Sequence, residues 1–514
     1  MSISSLNSYA QDTTADTLTF QFNISWNNSW RDAVNYDAAW VFLKYSKDSG
    51  VTWNQMTMKT SGTNPAGTSI GTGTPIDLIV PLDREGFFIQ RSAAAGGTGT
   101  LSTSSVRCVW DYNADGLTDA TANGMTCQFK IFGIEMVYIP QGNFYAGDGA
   151  TSSIYGNFES GTSGAALQIT SENQLTLGGG GLGNNNTAGE AASALDDFSD
   201  ATSKTLPATF PKGYKAFYLM KYEITEGMYA SFLNTLSRLQ QNMRVSSNIT
   251  ADAPTSGSIY VMSSTSAITT RSTILCPSAG NGTVNPIVFS TTRPDRATAY
   301  LTWMDLAAFA DWAALRPMTE LEFEKACRGP GAPVANEYAW GSTAITAATT
   351  IAGTEDGTET IGTANANCRY SNNNMTGGDT GLGPLRCGIF ATAISTRATA
   401  GAGYYGNMEL SGNVWERTVT VGEATGRAFT GTHGDGVLTT TASYQGNATN
   451  LDWPGIDTTP ARGVTGTTTV GFGVRGGSYV ELTVYLQVSN RYLGAYYITT
   501  RGLNMGGRAA RTAE

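Results

Sequence analysis

The sequence predicts a loop-rich mixed α+β domain preceded by an all-β sandwich domain, and three observations carry that prediction. Before residue 130, short apolar or alternating runs at 18–26, 39–45 and 78–82 are rich in Phe, Ile, Val and Trp and parted by Asn, Asp, Gly and Ser clusters, the pattern of consecutive strands. Beyond it, helical stripes and turn signals mix with short strands. Charged residues make up only 14% of the chain and 61 residues are glycine, the charge-poor, turn-rich composition of β-rich extracellular proteins. At 514 residues the chain exceeds what one hydrophobic core supports. It divides on this reading into residues 1–130, a sandwich for attachment or spacing, and residues 131–514, a second domain with an insertion at about 146–205.

Within the first part, Trp26, Trp30 and Trp40 are large core pieces with no chemistry of their own. The stretch DYNADGLTD places Asp111, Asn113, Asp115 and Asp119 at calcium-loop spacing, with Gly116 at the bend. Its twelfth position is Ala122, where a bidentate acid is required, so an Asx-rich turn is the better expectation. EMVYIPQGNFY, at 135–145, reads as strand, Pro/Gly turn and strand. The run LGGGGLGNNN, at 177–186, is too glycine-rich to pack and is expected to loop over the surface; no apolar helix opens after it, so it is no phosphate cradle. Thr225 caps a helix expected over 226–240, with Met228, Phe232, Leu236 and Leu239 on one face. A second helix is expected over 297–314, with Trp303, Leu306, Ala310 and Ala313 in one stripe. In RPMTELEFEKACRG, Thr319 and Glu322 form a capping box.

Several function classes are excluded. With 31 basic against 41 acidic residues, a formal charge of −10 and no Lys/Arg tract, little is gained from a polyphosphate backbone, and nucleic acid is not an expected partner. No run reaches the roughly 18 apolar residues of a membrane helix; the best, 299–315, is broken by Asp305 and Asp311, so no membrane insertion is expected. The first residues, MSISSLNSYAQDTT, lack the basic and apolar regions of a signal peptide. An extracellular, cell-surface or particle-attached location then implies a signal already removed or another export route. Six cysteines fit no disulfide scaffold and show no CxxC spacing. Cys108 with Cys127 and Cys368 with Cys387 either close loops of about twenty residues each or stay as buried free thiols. The sole histidine, His433, sits in a THGDG turn and reads as an exposed loop residue; one histidine builds no histidine-based metal site, and no GxSxG elbow exposes a serine nucleophile.

Six motifs then occur in a fixed order: MVYIPQGNF (136–144), YEITEGMYASFLN (222–234), LRPMTELEFEKACRG (315–329), LSGNVWERTVT (410–420), VRGGSY (474–479) and GGRAAR (506–511). Together they resemble the formylglycine-generating-enzyme, or sulfatase-modifying-factor, family. The resemblance implies a variant C-type-lectin-like fold with little regular secondary structure. It also implies that the family's enzymes activate oxygen through copper held by paired cysteines near the C-terminus, thiolates being what copper(I) demands. Here no cysteine follows Cys387. The superfamily's iron enzymes need more than one histidine. The expectation is a non-catalytic protein with no cofactor; the one metal left open is a structural calcium ion, at the Asp111 to Asp119 loop or in the lectin-like core.

The segment 475–508 is further similar to the variable region of diversity-generating-retroelement target proteins, in which selected positions vary between fixed framework residues. That resemblance assigns the framework to Arg475, Gly476, Gly477, Ser478, Val488, Ser489, Arg491, Arg501, Gly506 and Arg508, with Asn413, Trp415 and Glu416 of GNVWE as buried scaffold. Arg475, Arg491 and Arg508 are expected to bind loop carbonyls through their forked donors, while paired glycines allow turns that a Cβ forbids. The displayed candidates, within about 479–505, are Val480, Glu481, Thr483, Tyr485, Tyr492, Leu493, Tyr496, Tyr497, Ile498, Leu503, Asn504 and Met505. Tyrosine, at five positions from Tyr479 to Tyr497, offers contact area at low rotamer cost. Against this stands the perfect alternation of Val480, Leu482, Val484, Leu486 and Val488, which fits a half-buried strand and places Leu482, Val484 and Leu486 in the core. No period explains Tyr496, Tyr497 and Ile498, which are expected at the surface. Gly507 stands where relatives commonly have Phe. The expected function is binding of a protein or glycan ligand on another cell or particle; the alternative is an unusual enzyme of the superfamily acting on a peptide or glycan.

Overall fold

In the computed structural model, residues 1–150, 154–185, 196–250, 259–277, 284–457, 459–466 and 471–514 are described. The N-terminal strands are Ser2–Asp12 (β1), Thr17–Arg31 (β2), Asp37–Ser46 (β3), Ile76–Val80 (β4), Phe87–Arg91 (β5) and Gly97–Asp111 (β6). β1, β2, β6 and the short Thr72–Gly73 form a four-stranded sheet. Leu18, Phe20, Phe22, Ile24 and Trp26 alternate along β2 and meet Ala39, Val41 and Leu43 of β3 across a shared core, as two packed sheets require. β3 is buried at every residue because its other face, Ala38, Trp40 and Phe42, packs into the second core. Trp30 differs from expectation: it is half-buried, packed at the rim of a third cluster.

The expected seam near residue 130 is occupied by one long strand. Gln128–Ile139 (β7) pairs with β3 from Gln128 to Val137, and at its other end with Phe217–Met220 (β8). β8 pairs in turn with the C-terminal strand Ala509–Thr512, which pairs with Arg316–Pro317. A nine-stranded sheet therefore runs from the sandwich into the second part of the chain.

Helix boundaries are set by caps more than by apolar period. Glu226–Leu233 (α1) starts as expected, with Thr225 Oγ1 accepting from the Met228 amide, but stops at Asn234. Ser237 opens a separate helix, Arg238–Arg244 (α2), with its own capping box through Gln240, so Leu239 leaves the buried stripe and is 54% exposed. The second expected helix is shorter, Trp303–Trp312 (α3), because the Thr302–Asp305 capping box fixes its start. Glu320–Arg328 (α4) begins at the Thr319–Glu322 capping box as read, and every residue of it is buried, five charged side chains included.

Other expectations are corrected. The glycine run packs: Asn157–Ser160, Leu175–Leu177, Leu182–Asn185 and Lys204–Leu206 make a small sheet whose Phe158, Leu177 and Leu182 join the main core. A Cβ on Gly178 (φ +68°) would lie 2.4 Å from the Ser199 carbonyl oxygen, so glycine permits a close approach there. The run's last residue, 186, lies outside the described residues. All six cysteines are free; neither expected bridge forms, and burial pushes the Cys108 thiol up to about 12. In the calcium-like loop, Asp115 accepts from Thr57 and Trp110, Asp119 from Tyr112, and Asp111 pairs with Lys59 and Arg84; the carboxylates serve separate partners. His433 is no exposed loop residue. Its Nδ1 lies 3.2 Å from Asp83 and its Nε2 accepts from the Thr512 amide, and burial lowers its pKa to about 4. Among the described residues no helix is long and apolar enough to cross a membrane.

Candidate ligand-binding face

The C-terminal segment is built on α4. Arg475, at the end of strand Phe472–Arg475, is wholly buried; its guanidinium bonds Glu320 at 2.8 Å, Glu324 at 2.5 Å and the Val488 carbonyl at 2.7 Å. Arg491 bonds the same Glu320 at 2.7 Å and Asp196 at 2.7 Å, and lies over the Phe158 ring. Burial pushes the Glu320 carboxyl up, but the Arg491 and Arg475 guanidiniums outweigh it and hold it below the usual range. Arg328 completes the cluster, bonding Glu324, Glu337 and Ser489 Oγ. Each of the three arginines expected to bind loop carbonyls does so, Arg475 at Val488, Arg491 at Gly156 and Arg508 at Met220, Lys221 and Met408, but each also holds a carboxylate that was not expected, Arg508 joining Glu416 at 2.5 Å. Arg501 grips Asp305 and the Met243 carbonyl. Such charge-assisted forks fix a loop's path without regular secondary structure.

From this base the chain turns at Gly476 (φ +87°) and Gly477 (φ +71°), where a Cβ would meet the Leu410 carbonyl oxygen and Leu486 at 2.7 Å each. The alternating stretch that follows is not a strand. Thr483–Leu486 is a 3-10 turn, and the segment's carbonyls are taken by side chains, Leu486 by Ser411 and Val484 by Asn490. Leu486 is in the core as read, but Val484 is only half-buried and Leu482 is 66% exposed.

Of the displayed candidates, Tyr496, Tyr497 and Leu503 are exposed, at 43%, 44% and 40%. Val480, Glu481, Thr483, Tyr485, Tyr492, Leu493, Ile498 and Asn504 are half-buried. Met505 is buried and does not belong to the surface: it packs with Trp415 and Val474 beneath Tyr485, Leu493 and Ile498. Tyr485 and Tyr492 lie 5.0 Å apart, ring centre to ring centre, and both face Tyr155. Trp415 Nε1 and Asn504 Nδ2 both donate to Glu481 Oε1. Burial raises the Glu481 pKa, and the Trp415 bond opposes that rise.

GNVWE supports this face from below. Trp415 is buried, while Asn413 accepts from the Leu385 amide and donates to Glu223 at 2.6 Å. Glu416 is buried as expected and binds Arg508 through both carboxylate oxygens. Gly507 lies against Leu306, a Cβ there falling 3.1 Å from its Cδ1, so a larger side chain would require Leu306 to shift.

Sequence reasoning missed the carboxylate half of the brace, Glu320, Glu324, Glu337 and Asp196, together with Arg328, Arg417 and Tyr155. Arg417 bonds the Ile498 carbonyl at 2.9 Å. A signal for α4 was available. Glu320, Glu324 and Arg328 recur every four residues on a helix that also carries an apolar face, which aligns them in one stripe.

Residues 131–513, well over half of the chain, match the sulfatase-modifying factor enzyme 1-like domain. No curated protein matches the sequence. Among solved structures, variable protein 1 of Treponema denticola is similar at 12% identity and a TM-score of 0.29, with 74% of this chain and 96% of that chain covered. The chain belongs to the sulfatase-modifying factor enzyme 1-like family.

Proposed function

We propose that the protein is a non-catalytic binding protein whose segment 480–504 is a diversified face, presented outside the cell or on a particle to a protein or glycan ligand. The observation that carries this reading is the division of labour within one segment. Buried Arg475, Arg491 and Arg508 brace it through carboxylates, while the side chains of Tyr496, Tyr497 and Leu503 stay exposed and take no part in those ion pairs. A backbone held by other residues tolerates side-chain exchange at the surface, and preorganisation reduces the ordering entropy lost on binding. Half-buried Tyr485 and Tyr492 add amphipathic contact area. The absence of any cysteine after Cys387 removes the thiolate pair that the family's copper chemistry needs.

The test is genetic and then physical. Sequencing the DNA beside the gene should find a reverse transcriptase and a near-identical repeat of the 475–508 coding stretch, differing at adenines. Sibling genes should differ at Tyr492, Tyr496, Tyr497 and Leu503 and keep Arg475, Arg491 and Arg508. Variation spread evenly over the domain, or turnover of a peptide or glycan by the purified protein, would overturn the reading.

A further inference from the structure

Beneath the face, between β8 and the GNVWE loop, lies a group of side chains that the binding reading does not use. A carboxylate oxygen of Glu223, one of Glu409 and the Cys387 sulfur all lie within 4.8 Å of one another, and all three residues are buried. Amides donate to both carboxylates, and the Cys387 thiol lies 3.8 Å from Glu223 Oε2. Asn413 Nδ2 donates to Glu223 Oε2 at 2.6 Å and the Val414 amide to Oε1 at 3.1 Å, while the Gly388 amide donates to Glu409 Oε1 at 2.6 Å. Glu409 is only 5% exposed, yet its Oε2 has no hydrogen-bond partner. Arg508 and Arg386 are near enough to act on these carboxylates through space, but neither bonds them: Arg508 goes to Glu416 and the Met220, Lys221 and Met408 carbonyls, and Arg386 to Glu359. A buried, unpartnered carboxylate oxygen is costly unless something positive meets it.

We propose that Glu223, Glu409 and Cys387 bind a thiophilic divalent cation of the zinc type. One sulfur with two carboxylates suits a borderline-soft ion, whereas calcium takes oxygen ligands alone. Closing on an ion about 2.0–2.3 Å from each ligand atom draws the three together by about an ångström. Binding displaces the thiol proton to solvent. Cys387 lines a cavity of about 610 Å³ with Tyr222 and Arg386, which gives an ion an entry path and room for a water as further ligand. The structural consequence reaches the display face: Asn413, tied to Glu223, accepts the Tyr479 amide through its carbonyl at 2.8 Å. An ion at this site would lock the loop on which the variable segment starts, and the inference stands whether or not that segment is diversified.

The test uses the full chain, stripped with a chelator and reloaded with Co²⁺. The expected result is one ion per chain, a near-ultraviolet thiolate-to-cobalt charge-transfer band, and displacement by Zn²⁺. Cys387→Ser should abolish the band. Glu409→Gln should keep it but weaken binding by roughly tenfold or more. Cys127→Ser, at the one thiol that is not buried, should leave it unchanged. If Cys387→Ser fails to fold, the unaltered chain and the other two variants decide. No bound cobalt, binding without a thiolate band, a band lost in Cys127→Ser, or affinity indifferent to Glu409→Gln would each overturn the site.

Discussion

The inward and outward sides of the segment 475–508 have opposite chemistry. Inward stand Arg475, Arg491 and Arg508 with Leu486, Val488 and Met505; outward stand Tyr496, Tyr497, Leu503 and Leu482. Charge is inside and aromatic surface is outside, the reverse of the usual partition. The difference teaches where rigidity comes from in a loop-rich fold. A strand is held by its neighbours' backbones, but this segment forms no strand from Gly477 to Asn504 and has only scattered backbone bonds, such as Val488 to Glu337 and Arg491 to Tyr155, so guanidinium forks and carboxylates supply the rest. Burying such pairs adds little net stability compared with an apolar core, yet removing one partner strands the other.

The contrast is broken most severely at Arg475. Arg475→Ala leaves Glu320 and Glu324 short of a buried partner and should destabilise the fold by about 3–5 kcal/mol, read from urea denaturation; a loss below about 1 kcal/mol would mean that Arg491 and Arg328 suffice without it. Next in size is the pair that tests the alternation. Leu486→Ala should lose about 2–5 kcal/mol, whereas Leu482→Ala, four residues earlier in the same apolar series, should change stability by about 0.5 kcal/mol or less.

A third prediction concerns pH. Burial, reinforced by Asp435, pushes Asp311 up to about 7. Between about pH 4 and 7 the folded protein then keeps a proton that the unfolded chain has released, so this contribution is fully present at acid pH and is lost as pH rises through that window. Asp311→Asn keeps an oxygen for only one of the Asp435 and Thr449 amides, which bond different carboxylate oxygens; it should lower stability at every pH but flatten the fall in denaturation midpoint over the same range. The smallest effect is expected outside. Replacing Tyr496 and Tyr497 by Ala should leave stability within about 0.5 kcal/mol per site, and a larger drop in the thermal transition would show that the pair is part of the core.

Much of this was legible in the residues. Caps were the most reliable signals: Thr225 and Thr319 open helices where they were read, because a side-chain hydroxyl on a free amide is a local interaction. Family motifs located the arginines of the brace and Trp415 beneath it. Periodicity failed where tertiary partners override it, as in 480–488, whose perfect alternation belongs to a chain turning through a 3-10 segment with its carbonyls bound by side chains. The carboxylate partners were hidden by distance along the chain: Arg491 reaches back 171 residues to Glu320 and 295 to Asp196. Met505 was assigned outward by its place between framework residues, yet it pairs beside Trp415 as a short parallel strand, and that pairing turns it inward.

β7 carries one last consequence. Its hydrogen bonds join Asp37 through Ser46 on one flank and Phe217 through Met220 on the other, so cutting the gene at residue 130 would sever a strand in mid-ladder. Each fragment would be left with raw backbone amides and carbonyls, a template for aggregation. Module exchange or separate expression of the two portions should therefore carry the whole of 128–139 with both neighbours, and a swapped N-terminal unit would have to supply its own replacement for that shared rail.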